Sequence, residues 1–256
     1  MQFFNHDGFD FAFLDRQPAK GKGDPVLLIH GFASSHYVNW LSPGWFKTLN
    51  DAGYRAIAFD NRGHGSSSKS YEEADYTPDK MASDAAALLE HLEIERAHVM
   101  GYSMGARVSA FLALAEPEKV ATLVFGGLGI GMVDGVGEWD PIADALLADD
   151  PSKTTHPRGR SFRAFADQTR SDRRALAACI TTSRELLTED QVARITQPTL
   201  IAVGTKDDIG GSPDELAALM PRATAFHIEG RDHMLAVGDK SFKQRVVEFY
   251  AENPLE

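Results

Sequence analysis

The ten residues VMGYSMGARV, Val99 to Val108, place one serine between two glycines in the pattern Gly-x-Ser-x-Gly. The apolar run before Ser103 is typical of a buried strand, and the residues after it repeat with the spacing of a helix. Glycines at 101 and 105 remove side chains that would clash in so tight a strand-to-helix turn. The stretch therefore predicts a sharp turn with Ser103 as a candidate nucleophile, the alternative being a structural serine between two glycines.

Strand and helix patterns alternate along most of the chain. The opening stretch QFFNHDGFDFAFLD predicts an antiparallel hairpin around Asp7-Gly8. Short apolar runs, each typical of a strand buried on both faces, are PVLLIHG, YRAIAFD, AHVMGY, VATLVFGG and PTLIAVG. Helical periodicity is found in several intervals, over Met81–Leu92, Met104–Ala115 and Phe242–Tyr250. This alternation predicts an α/β fold with a largely parallel sheet.

The alternation is interrupted once, between residues 130 and 196. A glycine-rich loop is followed there by the stretch EWDPIADALLADD and by long, mostly polar helical patterns. We interpret this segment as an inserted helical lid, which divides the core into residues 1–129 and 197–256. Seven arginines lie between His156 and Arg184, against Asp167 and Asp172. They indicate either a solvated helix face or a surface that attracts an acidic substrate.

Composition excludes several classes of function. The chain has 256 residues and a formal net charge of −11, which repels nucleic acids and anionic membranes. Cys179 is the only cysteine, so the chain has no internal disulfide and no Cys-x-x-Cys metal or redox site. The N-terminal stretch has no signal-peptide pattern, and no segment reaches the length of a membrane span. We therefore expect a cytoplasmic protein that neither inserts into membranes nor binds nucleic acid; the sequence does not predict its oligomeric state.

A serine hydroxyl is a weak nucleophile at neutral pH and needs a base, an acid and an oxyanion site. Candidates follow three other strands. The turn in LLIHGF brings the amide of Phe32 toward that of Met104, and these two N–H groups are the candidate oxyanion donors. LIAVGTKDD offers Asp207, or its neighbour Asp208, as the acid, and AFHIEGRDHM offers His233, expected on a loop, as the base.

Two further histidines lie in these strand-end loops. We expect His30 to orient the candidate oxyanion loop through its ring nitrogens, and His64, in DNRGHG, to be structural. For His30 the alternative is direct contact with the substrate.

The order Ser103, Asp207, His233 is that of the α/β-hydrolase fold. With HGF, DNRGHGSS and GYSMG also at that fold's spacings, the chain resembles a small, lidded, serine-dependent α/β-hydrolase of the esterase type. The resemblance covers nearly the whole chain outside the lid. It implies an eight-stranded, mostly parallel sheet flanked by helices, a site between core and lid, and no metal or organic cofactor. It also favours Asp207 over Asp208.

The chemistry implied is two-step acyl transfer on a small-molecule substrate, with carboxylic esters of small to medium acyl chains as the default. Lid residues expected to contact the acyl group are Trp139, Phe162, Phe165 and Met132. Alternatives are an acyltransferase, a cofactor-free perhydrolase, or a slow-turnover ligand receptor on the same fold. An aspartate in place of Ser103 would have predicted dehalogenase or epoxide-hydrolase chemistry.

Overall fold

The computed structural model of the protein describes residues 1–255. Eight strands form one sheet in the order β1-β2-β4-β3-β5-β6-β7-β8. The strands are β1 (Gln2–His6), β2 (Phe9–Arg16), β3 (Pro25–Ile29), β4 (Arg55–Phe59), β5 (Ala97–Tyr102), β6 (Val120–Gly126), β7 (Thr199–Gly204) and β8 (Ala223–Ile228). Strands β3 to β8 run parallel to one another, whereas β2 is antiparallel to both β1 and β4. The largely parallel sheet predicted from the alternation and the eight strands implied by the family resemblance are both confirmed.

The opening hairpin turns at Asp7 and Gly8, both of which have positive φ angles, 51° and 78°. This conformation suits the right-handed twist of a two-residue hairpin and explains the Asp-Gly pair. The register pairs His6 with Phe9 and Phe4 with Phe11. The hairpin therefore forms the antiparallel edge of the sheet.

Helices cover both faces of the sheet. They are α1 (Trp45–Asp51), α2 (Pro78–His91), α3 (Met104–Ala115), α4 (Asp140–Leu147), α5 (Pro157–Gln168), α6 (Arg173–Thr182), α7 (Glu189–Ala193), α8 (Pro213–Leu219), α9 (His233–Ala236) and α10 (Lys240–Glu252). Alternate strand residues face opposite layers: Leu27 and Val99 belong to the core shared with α2 and α3, and Leu28 and Met100 to the core shared with α1 and α10. This two-sided burial explains the nearly continuous apolar strands.

Helices α4 to α7 all lie between β6 and β7, where the sequence pattern breaks. Helix α4 packs against α5 and α6. The long polar helices expected here are shorter elements, because the chain turns between α5 and α6 with Arg170 at a positive φ of 55°. Helix α6 is also less polar than expected, since Leu176 and Ile180 are buried in the main core.

Within residues 1–255, no helix combines the length and apolar character needed to cross a bilayer. The same residues contain no cluster of three or more histidine, cysteine, aspartate or glutamate side chains suited to a metal ion. The carboxyl ends of β3, β5, β7 and β8 meet at one edge of the sheet, where parallel α/β folds place their sites.

Candidate active site

Ser103 lies at the turn between β5 and α3 in a strained backbone conformation, with φ 54° and ψ −113°. Its amide donates to the carbonyl of Gly126 on β6 at 2.7 Å. A Cβ atom at Gly105 would lie 2.0 Å from the carbonyl oxygen of Ile29, and one at Gly101 would lie 2.1 Å from the carbonyl oxygen of Gly105. Both glycines of the motif are therefore required for the helix to approach the sheet so closely, and the turn projects Ser103 from the end of β5.

His233 is the first residue of α9, a short helix that replaces the loop expected from the sequence. The Asp232 side chain caps this helix by accepting bonds from the amides of Met234 and Leu235. The imidazole Nε2 of His233 is 3.1 Å from Ser103 Oγ. The hydroxyl of Tyr102 donates to the His233 carbonyl at 2.6 Å, which fixes the backbone that carries the imidazole.

Asp207 completes a chain of hydrogen bonds that begins at Ser103. Its Oδ2 is 2.8 Å from Nδ1 of His233, and its Oδ1 accepts from the amides of Ile209 and Gly210 at 2.8 and 2.9 Å. Burial alone would raise the pKa of Asp207, but the hydrogen bond and charge of His233, together with the two amides, hold it below its ordinary value. Asp208 is exposed, and its backbone carbonyl accepts from Arg158. Of the two aspartates, Asp207 is the one bonded to the imidazole.

The loop after β3 lies directly against the serine turn. A Cβ atom at Gly31 would be 3.4 Å from the Ser103 Cβ. The Gly31 amide donates to Oδ1 of Asn39 at 2.8 Å, which holds the loop in place. The amides of Phe32 and Met104 donate to no acceptor within residues 1–255, and both residues line the same cavity as Ser103. Two free N–H groups beside a serine hydroxyl are suited to stabilise negative charge on an oxygen.

Two buried histidines hold the loop after β3 in place through hydrogen bonds. His30 donates from Nδ1 to the Gly31 carbonyl and accepts at Nε2 from the Asn61 amide, at 2.8 and 3.0 Å. His64 donates to the Arg62 carbonyl and accepts from the Ala33 amide, at 2.9 and 3.2 Å. Each ring must be neutral to accept a bond, and burial lowers the pKa of His30 to about 4 and that of His64 to about 3.

A cavity of about 960 Å³ opens in front of Ser103 and His233. Phe32, Phe162 and Trp139 form an aromatic row along it, with ring centroids 5.6 Å apart for the first pair and 6.0 Å apart for the second. Phe165 also lines the cavity. Met132, which the sequence analysis grouped with these residues, is fully buried in the core and does not line the cavity. Its short helical turn directs the side chain inward, an orientation that apolar patterning cannot predict.

The seven arginines between positions 156 and 184 differ in burial and in hydrogen bonding. Arg163 is buried and donates to the carbonyls of Ala145 and Ala148. Arg158 donates to the Val136 carbonyl. Of the seven arginines between positions 156 and 184, Arg184 is the one that lines the cavity. Arg160, Arg170 and Arg174 are exposed, as expected for a solvated helix face, whereas Arg158 and Arg163 bind backbone carbonyls within residues 136–148.

Sequence reasoning missed three residues at the site. Asn39 lies in HYVNW, outside any motif, and no local signal identifies it as the partner of the Gly31 amide. Tyr102 and Arg107 lie inside the quoted serine motif. Their polar groups in an apolar strand and helix are a signal that each needs a buried partner.

The sheet topology and the hydrogen-bonded serine, histidine and aspartate define an α/β protein with a site of the kind used in nucleophilic catalysis. A family model described as the alpha/beta hydrolase fold matches residues 24–176. The chain belongs to this family.

Similar proteins support the same family. The "Putative non-heme bromoperoxidase BpoC" of Mycobacterium tuberculosis is 35% identical over 59% of this chain and 57% of its own. "Epoxide hydrolase B" of the same organism is 34% identical over 44% of this chain and 32% of its own. The crystal structure of a hydrolase from Pseudomonas aeruginosa PA01 has a TM-score of 0.78, with 25% identity and 97% of both chains covered. The matches span between 28% and 57% of the length of the first curated relatives.

Proposed function

We propose that this protein is a serine hydrolase that cleaves carboxylic esters of small to medium acyl chains through an acyl-enzyme on Ser103. One observation carries the proposal. The hydrogen bonds from Ser103 Oγ to His233 Nε2, and from His233 Nδ1 to Asp207 Oδ2, connect nucleophile, base and acid beside an apolar cavity.

In the proposed mechanism, His233 accepts the Ser103 proton as the oxygen attacks the ester carbonyl. The amides of Phe32 and Met104 stabilise the resulting oxyanion, and Asp207 stabilises the imidazolium. The imidazolium then protonates the departing alcohol, which leaves the acyl group on Ser103. Water attacks this ester with His233 again as the base, so that a carboxylic acid is released and the serine is regenerated.

We further propose that residues 130–196 act as a lid over a core made of residues 1–129 and 197–256. The lid supplies Trp139, Phe162 and Phe165, which would contact the acyl chain. The cavity volume is in the range of sites that enclose small molecules, which favours small to medium acyl groups over long lipid chains.

The relatives suggest two other activities, of which one remains a second candidate. The name of the bromoperoxidase relative is compatible with perhydrolysis, in which hydrogen peroxide instead of water attacks the acyl-enzyme and releases a peracid. Epoxide opening is not favoured, because attack by Ser103 would form an ether that water cannot hydrolyse in this way. Adding hydrogen peroxide during turnover and measuring the ratio of peracid to acid separates perhydrolysis from hydrolysis.

The test of the proposed function is a panel of p-nitrophenyl esters of graded acyl length, read as kcat/KM. We expect an optimum at small to medium acyl chains, because each buried methylene contributes about 0.8 kcal/mol until the cavity is filled. Ser103→Ala should abolish turnover. Ser109→Ala is the matched control, since Ser109 lies on the same helix with its hydroxyl bonded to the Gly105 carbonyl at 2.8 Å. Retained activity in Ser103→Ala, or an optimum on long-chain triglycerides, would contradict the proposal.

A further inference from the structure

Two arginines line one wall of the cavity, and neither has a buried carboxylate partner. Arg107 lies on α3, one turn beyond Ser103, and is only 4% exposed. Its guanidinium donates to three backbone carbonyls, those of Gly131, Met132 and Glu185, at 3.1, 3.0 and 2.7 Å. Burial and the neighbouring charge of Arg184 lower the pKa of Arg107 to about 10. The cavity wall thus holds a cation whose hydrogen-bond partners are all backbone carbonyls.

Arg184 is the second cation and is better placed to meet a ligand. Its Nε donates to the Ile180 carbonyl at the end of α6, at 2.6 Å. Its guanidinium carbon lies 5.8 Å from the centre of the Trp139 ring. Its single carboxylate contact is with Asp140 at 3.5 Å, and the Asp140 side chain is 91% exposed, so that this pair is weak. The Nη1 group donates to no acceptor within residues 1–255 and remains available.

Other charges near the cavity lie at its exposed rim. Asp134 and Glu185 also line it, and both are exposed to solvent. The negative charge of Glu185 raises the pKa of Arg107 and so offsets part of the lowering caused by Arg184. Charges exposed at a rim are screened by salt within about 8–10 Å, whereas the buried wall is screened much less. The inner wall of the cavity is therefore cationic in a chain whose net charge is −11.

The aromatic row connects this cationic wall to the site of chemistry. It begins at Phe32, whose amide would hold the acyl carbonyl oxygen, continues through Phe162 to Trp139, and ends at the guanidinium of Arg184. The steps along this row are 5.6, 6.0 and 5.8 Å, and an acyl chain that follows these rings from Ser103 points its far end toward Arg184. A carboxylate there would form charge-assisted hydrogen bonds with a partly desolvated guanidinium.

We propose that Arg184 binds a carboxylate at the far end of the acyl chain, with Arg107 adding positive potential behind it. The substrates are then half-esters of dicarboxylic acids. This inference rests on the proposed ester hydrolysis and names the substrate class of the same cavity.

Binding of intact esters tests the inference without turnover. Methyl hexanoate and monomethyl adipate have the same chain length and the same ester group and differ by the terminal carboxylate. On Ser103→Ala, calorimetry should show monomethyl adipate binding about 10-fold or more tightly than methyl hexanoate, because only the half-ester can form a charge-assisted contact with Arg184. Arg184→Gln in the same background should remove the preference. Arg160→Gln, an exposed arginine outside the cavity, is the control with the same loss of charge.

Turnover gives a second readout on the wild-type chain. The ratio of kcat/KM for the mono-p-nitrophenyl ester of adipate to that for p-nitrophenyl hexanoate should fall about 10-fold in Arg184→Gln and be unchanged in Arg160→Gln. Since Arg184 also caps α6, Arg184→Lys provides a variant that keeps the charge and should retain part of the preference.

The outcomes separate the inference from the proposed function. Equal affinity for methyl hexanoate and monomethyl adipate, or a preference that survives Arg184→Gln, overturns the inference even if Ser103-dependent ester cleavage is found. An Arg184-dependent preference for monomethyl adipate supports it even if no ester is cleaved, in which case the proposed function fails.

Discussion

Asp207 and Asp208 are adjacent carboxylates with different surroundings. Asp207 is bonded to the imidazole of His233 and to two amides, whereas Asp208 is exposed. The sequence left both as candidates, and the resemblance to the family favoured Asp207. The structure shows that the Asp207 carboxylate reaches the imidazole.

Asp207→Asn should lower kcat on the order of 10³–10⁴-fold, because an amide cannot stabilise the imidazolium and favours the wrong imidazole tautomer. Asp208→Asn removes the same charge one residue away and should change kcat less than about threefold. Steady-state kinetics on one ester for both variants provides the comparison. Equal losses, or a larger loss in Asp208→Asn, would refute the assignment.

At the scale of elements, the turn between β5 and α3 depends on the absence of a side chain at Gly105. A Cβ atom there would approach two backbone oxygens, those of Ile29 at 2.0 Å and His30 at 2.8 Å. Backbone atoms cannot move aside as a flexible side chain can. Helix α3 and strand β3 must therefore separate if this position carries any side chain.

Gly105→Ala should destabilise the protein by about 3 kcal/mol, the upper range for an overpacked core, and should lower activity by displacing the Met104 amide. Gly238→Ala is the control, because its Cβ would make an ordinary 3.5 Å contact with Pro43. Urea unfolding of both variants measures the difference. A Gly105→Ala variant as stable as Gly238→Ala would show that the helix does not lie so close to the sheet.

The elements themselves were predicted well from sequence, for a physical reason. Strands buried on both faces must be almost wholly apolar, so β3, β5, β6 and β7 are visible as short runs. The side-chain positions in residues 130–196 were not predictable to the same degree. Phe162 lines the cavity and Met132 is buried in the core, although both are large apolar residues of the same segment. Their directions follow from packing between helices that are distant in sequence.

The hydrogen-bond partners of buried polar side chains were not predictable from the sequence either. Asn39 accepts from the amide of Gly31, eight residues earlier, and Arg107 donates to the carbonyl of Glu185, 78 residues later. Sequence patterns identify groups that need partners but not which partners the fold supplies.

For the molecule as a whole, stability depends on histidines that are buried in the neutral form. Burial lowers the pKa of His30 and of His98 to about 4, and that of His64 to about 3. In the unfolded chain these groups titrate near 6.5. Between the folded and unfolded pKa values, the unfolded state therefore binds more protons, and stability must fall as the pH falls.

We expect the free energy of unfolding to be nearly constant above pH 7 and to decrease from about pH 6.5 down to about pH 4. The slope is about 1.4 kcal/mol per pH unit for each histidine that is fully protonated only in the unfolded state. Asp60, whose pKa is held at about 2 against the effect of burial by bonds from His36 and Ser66, stabilises the fold above about pH 3.8, and this contribution is lost only as the pH falls from there toward 2. Urea unfolding between pH 8 and 4.5 tests this window, and a free energy that stays level from pH 7 to 5 would contradict it.

The most direct test of the account is whether Ser103 is the nucleophile. A p-nitrophenyl alkylphosphonate or a sulfonyl fluoride reacts with a serine that is activated by a neighbouring imidazole and leaves a stable adduct. Peptide mass spectrometry of the treated protein should find one adduct, on Ser103, with ester hydrolysis lost in proportion to labelling and no labelling in Ser103→Ala. An adduct on another residue, or full ester hydrolysis by Ser103→Ala, would contradict the account.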